Sequence, residues 1–450
     1  MDIDRDVELL RRAAKHWQSG FSGLPAYADS ASADEMAPIL EQLAAKLHDN
    51  YPYFHPLYAG QMLKPPHPIA RAAYALSMYV NPNNHALEGG RATSALEKEC
   101  VAQIARMFGW DHHLGHLCSG GTVANMEALW VASRVRPGEK VVASSLAHYT
   151  HERICSVLGV EFAKVRCDEY GRMSLDELER ILADEGPVGT VVATLGTTAC
   201  GTIDPLDGIL ALQKRYGFRV HVDAAYGGYY ALADTLTEHG KAAFAGICAA
   251  DSVVVDPHKH GLQPYGCGCV IFRDPAVGAI YVHDSPYTYF TSADFHLGEI
   301  SLECSRPGAS AAALWATQKL MPLEKGGRFA HDLEQARAAA LHLYDFLQRD
   351  SRFVTCFPPE LDIVFWFPAS GRASTASRLS RALFEAAAAI QLHLALAHMP
   401  RSLVEPHVSG LIWDEDSVLC LRACLMKPEQ MAWLGELCKR IERAADAAMR

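Results

Sequence analysis

The stretch "SVVVDPHKHGLQPYGCGCVIF", Ser252 to Phe272, places a lysine where a core strand ends. Ser252–Val255 is an apolar, β-branched run of the kind found in strands covered on both faces, and Gly268–Phe272 reads as a second strand. Lys259 stands between them, close behind the first, with His258 before it, His260 after it and Asp256 nearby. An ammonium group at such a place loses hydration, which lowers its pKa and makes the amine a nucleophile towards carbonyls. A solvated lysine is the ordinary alternative, but solvated lysines rarely follow such a run.

Outward from this stretch the chain alternates short β-branched runs with helical segments. Strands are expected at Leu114–Cys118, Val141–Ser145, Phe162–Val165, Thr190–Thr194, Arg219–Asp223, Ser252–Val255 and Gly268–Phe272, with helices such as "TVANMEALWVASRV" and "PLDGILALQKRYG" between them. That rhythm predicts an α/β fold, a mostly parallel sheet with helices on both sides. Ligands of such sheets bind beyond the carboxyl ends of the strands. Three regions are expected: an N-terminal helical arm (1–60), a large domain (61–325) and a small C-terminal α+β domain (326–450).

Composition narrows the function. The 450 residues are 50% hydrophobic and carry a net charge of −11, without a basic stripe that would hold nucleic acid. The N-terminal "MDIDRDVELLRRAAKHW" lacks the apolar centre of a secretory signal, and no stretch has the ~18–20 apolar residues of a membrane span. Thirteen cysteines, odd in number and scattered without a C-x-x-C pair, read as reduced residues of a cytoplasmic protein. Cys267 and Cys269 alternate on one strand, yet no second pair exists to complete a metal site, so none is expected. No G-x-G-x-x-G follows the first strand, which argues against a dinucleotide-binding dehydrogenase.

Four strand ends carry polar groups that a sheet does not need. "CSGGTVANMEALW" passes from a strand through Gly120 and Gly121 to Thr122 and a helix, an arrangement that offers backbone N–H groups to an anion. "HVDAAYGG" ends a strand on Asp223, followed by the small Ala224 and Ala225. That carboxylate either caps a helix or pairs with a buried cation above the sheet. His148 follows the Val141–Ser145 run, and Lys259 is the fourth. Together they offer a phosphate seat, a carboxylate for a protonated ring nitrogen, an aromatic partner for a ring face and an amine for an aldehyde. That set suits pyridoxal 5'-phosphate.

These residues also carry a resemblance. "VVATLGTTACGTIDPLDGI", "FRVHVDAAYGGYY" and "ADSVVVDPHKHGLQPYGCGCVIF" are similar to the central run of the group II pyridoxal-phosphate amino acid decarboxylases. "LSMYVNPNNHALEGGRATSALEKE", "GGTVANMEALW" and "SRPGASAAALWATQKLMPL" resemble the bacterial tyrosine decarboxylases and aromatic L-amino acid decarboxylases among them. The likeness runs from about Leu76 to Pro322 and more weakly beyond. It implies the aspartate aminotransferase-like fold (fold type I), with a seven-stranded mixed sheet, and a homodimer with active sites at the subunit interface. By position Lys259 would bond the cofactor aldehyde and Asp223 would pair with the ring nitrogen. Ala225 and His148 would lie on opposite ring faces. Gly121 and Thr122 would hold the phosphate with His258 nearby, and Thr198 would sit beside the ring. Asn81 and Asn83, with Tyr79, would line the substrate entrance, and "SRPG" (Ser305 to Gly308) the rim of the cofactor pocket.

Two departures bear on the substrate. The residue after the lysine, usually methionine or tryptophan in the family, is His260, which is expected to contact substrate or a loop. The chain is also shorter than the bacterial tyrosine decarboxylases. The expected reaction is decarboxylation of an L-amino acid to its amine and carbon dioxide. The proton would be donated by Tyr287, with Tyr289 and His296 as alternatives. Tyr79, Tyr287, Tyr289 and Phe290 favour an aromatic or medium-sized neutral side chain, whereas an acidic substrate of the glutamate or aspartate type would need an arginine such as Arg91 or Arg306. The same site could serve an aldehyde synthase or a carbon–carbon lyase. A catalytically silent, partner-binding homologue would be expected to lack the lysine or the aspartate, and both are present.

Overall fold

The structure is a computed structural model that describes residues 2–27, 30–281 and 296–449. Its centre is a seven-stranded sheet built from β1 (Leu114–Cys118), β2 (Lys140–Ser144), β3 (Phe162–Val165), β4 (Val188–Thr194), β5 (Arg219–Asp223), β6 (Ser252–Val255) and β7 (Gly268–Phe272). The spatial order is β1-β7-β6-β5-β4-β2-β3. Only β7 runs against the rest: it pairs antiparallel with both β1 and β6, while the other pairings are parallel. Six carboxyl ends therefore open on one edge, where the fold rule places ligands. The expected mixed, mostly parallel α/β sheet is what forms.

All seven expected strands exist, and two begin earlier than their apolar runs. β2 starts at Lys140 because that lysine is buried, its Nζ donating to the Glu185 carbonyl at 2.7 Å and pairing with Glu161 at 3.2 Å. β4 starts at Val188, two residues ahead, in register with Lys140 across a bulge. Periodicity cannot find a lysine that enters a sheet by satisfying its own charge.

A second, antiparallel sheet of four strands (β8 Phe353–Val354, β9 Ile363–Pro368, β10 Ala395–Pro400, β11 Ser417–Cys424) has its own apolar core. The helix Arg328–Arg349 joins the two lobes. Its first turns (Phe329, Ala330, Leu333) pack in the large core, and its later ones (Ala339, Ala340, Leu343, Leu347) in the small one. Leu57 and Ala59, at the end of the expected arm, also pack in the small lobe, and Tyr58 bridges to His393. Within the arm, α1 (Ile3–Ser19) and α2 (Ala33–Leu47) bury no residue, and α1 lies against α3 (Pro68–Met78). Among the described residues no helix is long and apolar enough to cross a membrane.

Candidate active site

The strand ends enclose a cavity of about 300 Å³ lined by Gly121, Thr122, His148, Thr198, Asp223, Ala225, His258 and Lys259 among others. Five separate segments, spread between Ser119 and Lys259, thus converge as expected. α5 (Gly121–Val135) starts at the cavity wall with no side chain capping it, so the first-turn N–H groups remain available to an anion. The approach is close: a Cβ on Gly121 would stand 2.7 Å from Asp256 Oδ2, and one on Gly268 would stand 2.5 Å from the Gly120 Cα. Glycine is required at Gly268 because the Gly120 backbone stands against it, and at Gly121 the Asp256 carboxylate leaves no room for a side chain.

Lys259 Nζ rests 2.9 Å from Asp256 Oδ2, an i to i+3 pair that holds the amine inside the cavity. Asp223 ends β5, 5% exposed. Burial alone would push its carboxyl up, but a hydrogen bond and positive charge from His151, the Lys259 charge and the Ala225 N–H outweigh it and hold the group well below the usual carboxylate range. His151 Nε2 lies 2.9 Å from Asp223 Oδ2, and the Ala225 N–H donates to Oδ1 at 3.1 Å. The half-buried His148 is pushed down by desolvation first, against the pull of Asp223, and so presents a neutral ring; its Nδ1 contacts Thr150 Oγ1 at 2.8 Å. His258 is likewise lowered by burial. Fixed anion, flat neutral ring, uncapped helix start and amine fit pyridoxal phosphate feature by feature.

Comparison with known proteins agrees with this geometry. Residues 30–367 match the pyridoxal-dependent decarboxylase conserved domain. The chain is 28% identical to an L-tyrosine decarboxylase of Enterococcus faecium, across 75% of this chain and 72% of that protein. It is 30% identical to a cysteine sulfinic acid decarboxylase of Mus musculus, across 73% of this chain and 70% of that one. A crystal structure of Oryza sativa TDC with PLP and tryptamine superposes with a TM-score of 0.79 at 18% identity, covering 100% of this chain and 97% of that one.

The chain belongs to the pyridoxal-dependent decarboxylases.

It is a PLP-dependent amino acid carboxy-lyase of fold type I. Some expected site residues of this decarboxylase lie elsewhere. His260 does not line the cavity: it is 1% exposed, packed edge-on against the Tyr226 and Tyr230 rings, with Nε2 3.2 Å from Asp362 Oδ2 of the small lobe. A side chain one residue past Lys259 points away from it, into the seam between lobes, so the expected substrate or loop contact gives way to a packing one. Arg306 is buried and paired with Glu97 at 2.7 Å, its charge already neutralised. Arg91 is exposed at the start of the helix Arg91–Met107, outside the cavity of its own chain. Tyr79 is 64% exposed and Asn83 bonds Ser305; neither they nor Asn81 line the cavity of their own chain. His296 is buried, its Nδ1 accepting from the Leu87 N–H at 3.3 Å. Tyr287, Tyr289 and Phe290 lie outside the described residues.

Three polar residues escaped sequence reasoning. His151 stands three residues after His148, in the helix α6 (Thr150–Leu158), and only that spacing hinted that both could face the same strand ends. Asp256 looked like a bystander and turns out to hold Lys259. Arg422, on β11 of the small lobe, donates from Nη2 to the Thr198 carbonyl at 2.8 Å while its buried Nε has no partner. Nothing local in "VLCLRACL" points across the molecule to Thr198.

Proposed function

We propose that this decarboxylase converts an L-amino acid with an aromatic or medium-sized neutral side chain to its amine and carbon dioxide, as a cytoplasmic homodimer. The observation that carries the substrate class is charge. No arginine stands among the described residues lining the cavity, and the charge of Arg306, at the expected rim, is already paired with Glu97. Lys259, which lines the cavity, is reserved for the cofactor, so a carboxylate side chain would find no arginine to pair with there.

When bound, pyridoxal phosphate supplies an aldehyde for amine capture and a ring that accepts the electrons released as the bond to the carboxylate breaks. Lys259 is placed to hold the aldehyde until substrate arrives, with Asp256 steering its amine. Asp223, ionised and buried, keeps a proton on the ring nitrogen, and His151 holds the carboxylate in position. His148 and Ala225, which both line the cavity, would lie on opposite faces of the ring. The uncapped α5 start at Gly121 and Thr122 would take the phosphate, with His258 nearby, and Thr198 would lie beside the ring. Tyr287 donates the proton that completes the amine. Replacing it with phenylalanine should abolish amine release while cofactor absorbance persists; a wild-type rate of amine release would remove Tyr287 from the mechanism.

The homodimer reading is supported by an arm whose helices bury nothing in their own chain yet expose Ile3, Val7, Ile39, Leu40 and Leu43. Tyr79, Asn81 and Asn83 would then serve the partner's entrance. Thirteen unpaired cysteines suit a reducing compartment. A second reading, an acidic substrate, has one observation in its favour: the partly unsatisfied Arg422 guanidinium behind Thr198. One experiment separates the readings. The holoenzyme is incubated with L-tyrosine, L-tryptophan, L-leucine, L-glutamate, L-aspartate and L-cysteine sulfinate while carbon dioxide, amine, ammonia and peroxide are measured. Turnover of the neutral substrates to amines is expected. Preference for the acids would overturn the substrate class, and ammonia with peroxide would mark an aldehyde synthase.

A further inference from the structure

A second cavity, about 450 Å³ and larger than the active-site one, lies between the arm, the proline-rich turn before α3 and the seam of the two lobes. It shares no lining residue with the active site. Its wall is unusually basic. Arg5 on α1, Lys64 and His67 in the turn, Arg71 on α3, Arg328 at the start of the lobe-joining helix and Lys427 after β11 all line it, against the acids Asp2, Asp332 and Glu429.

Three of the bases have no acid in direct contact. Arg71 pairs with Asp6, but none of Lys64, Lys427 and Arg328 has a carboxylate within ion-pair reach among the described residues. Lys64 Nζ donates only to the Met426 carbonyl, at 3.2 Å. Lys427, 4% exposed, donates to the Tyr58 carbonyl at 2.7 Å and more weakly to that of Leu63 at 3.4 Å. An ammonium carries three donors, so both lysines keep hydrogens unspent at the cavity wall. A buried cation without a counter-charge tends to give up its proton. Desolvation lowers Lys64 to about 8, against the weaker pull of Asp362, Glu429 and Asp332. It lowers Lys427 to about 7, pushed further by Lys64 and opposed by Cys424 and Glu429. What the two lysines lack is a negative charge in contact, and the space beside them is large enough for a small molecule to bring one.

We propose that this cavity is a binding site for a small multivalent anion, a phosphate or polycarboxylate, held between Lys64, Lys427 and Arg328. The test uses the cofactor-loaded enzyme, so that the active-site phosphate seat is already filled. Calorimetric titrations with inorganic phosphate and, separately, with citrate distinguish the two ligand classes. One of them is expected to bind saturably at one site per chain, with proton uptake near pH 8 as the lysines recharge. Arg328→Gln, at an exposed position that carries no packing, and Lys64→Met should each weaken that binding by about tenfold or more, the loss expected for one charged hydrogen bond. No saturable binding of either anion, or equal affinity in the wild type and both variants, would overturn the proposal.

Discussion

At the residue scale the site turns on the charge of Asp223. A buried carboxylate alone would be pushed towards its neutral form; here His151 supplies a hydrogen bond at 2.9 Å and reverses the balance. His151 does not line the cavity, so its effect on chemistry would pass through Asp223. Replacing His151 with phenylalanine should therefore weaken pyridoxal phosphate binding by roughly 10–100-fold, the worth of one charge-assisted hydrogen bond. It should also shift the ring-nitrogen resonance of ¹⁵N-labelled cofactor, and His151→Gln, which keeps a donor, should restore much of both. A purely packing role would leave the nitrogen resonance in the phenylalanine variant unmoved. The same scale explains His260. Position in sequence put it beside Lys259, but the chain turns there, and Asp362 with two tyrosine rings receives the side chain.

At the scale of elements, what fixes the cavity wall is a buried polar rung beneath it. His221 of β5 reaches Asn125 Oδ1 on α5 through Nε2 and Ser252 Oγ on β6 through Nδ1, both at 2.8 Å. The rung ties the phosphate-side helix to the two strands that carry Asp223 and the turn to Lys259. It works with a neutral imidazole, and burial lowers His221 to about 3. An unfolded histidine takes its proton near 6.5. Between those values the unfolded chain binds more protons, so stability falls as pH drops from about 6.5 towards 3, by at most about 5 kcal/mol from this residue. Urea midpoints measured at pH 7 and pH 5 should differ less in His221→Gln than in the wild type. An unchanged difference would show that acid sensitivity arises elsewhere.

At the scale of the whole molecule, the arm helices remain to be accounted for. An amphipathic helix with no buried residue has not spent its apolar face, and Leu40 and Leu43 are 62% and 49% exposed. In a homodimer that face would be covered. Leu40→Glu together with Leu43→Glu should then convert a dimer to a monomer in sedimentation experiments, with the circular dichroism of the fold retained. A monomeric wild type would sink the dimer reading, and a variant as dimeric as the wild type would free the arm from it.

Most of the architecture and the cofactor residues were legible because they follow local rules. Strands covered on both faces must be continuously apolar, helices between them must be amphipathic, and chemistry must sit at the strand ends. Lys259, His148 and Gly121–Thr122 each follow a strand and Asp223 ends one, so chain position pointed to residues that the fold brings to one cavity. What lay beyond reach depended on contacts between segments far apart in sequence. Whether Arg306 is free or paired depends on Glu97, 209 residues away. Whether Asp223 keeps its charge depends on His151, 72 residues away. Neither Arg422 meeting Thr198 nor the basic cavity assembled from both ends of the chain leaves a trace in any local pattern. The sequence by itself determined the sheet, its ligand edge and the cofactor's chemistry, since these follow from periodicity and residue type. Only the tertiary structure decided which charges are neutralised and which stand uncompensated, because Coulomb and desolvation energies depend on distances that folding alone sets.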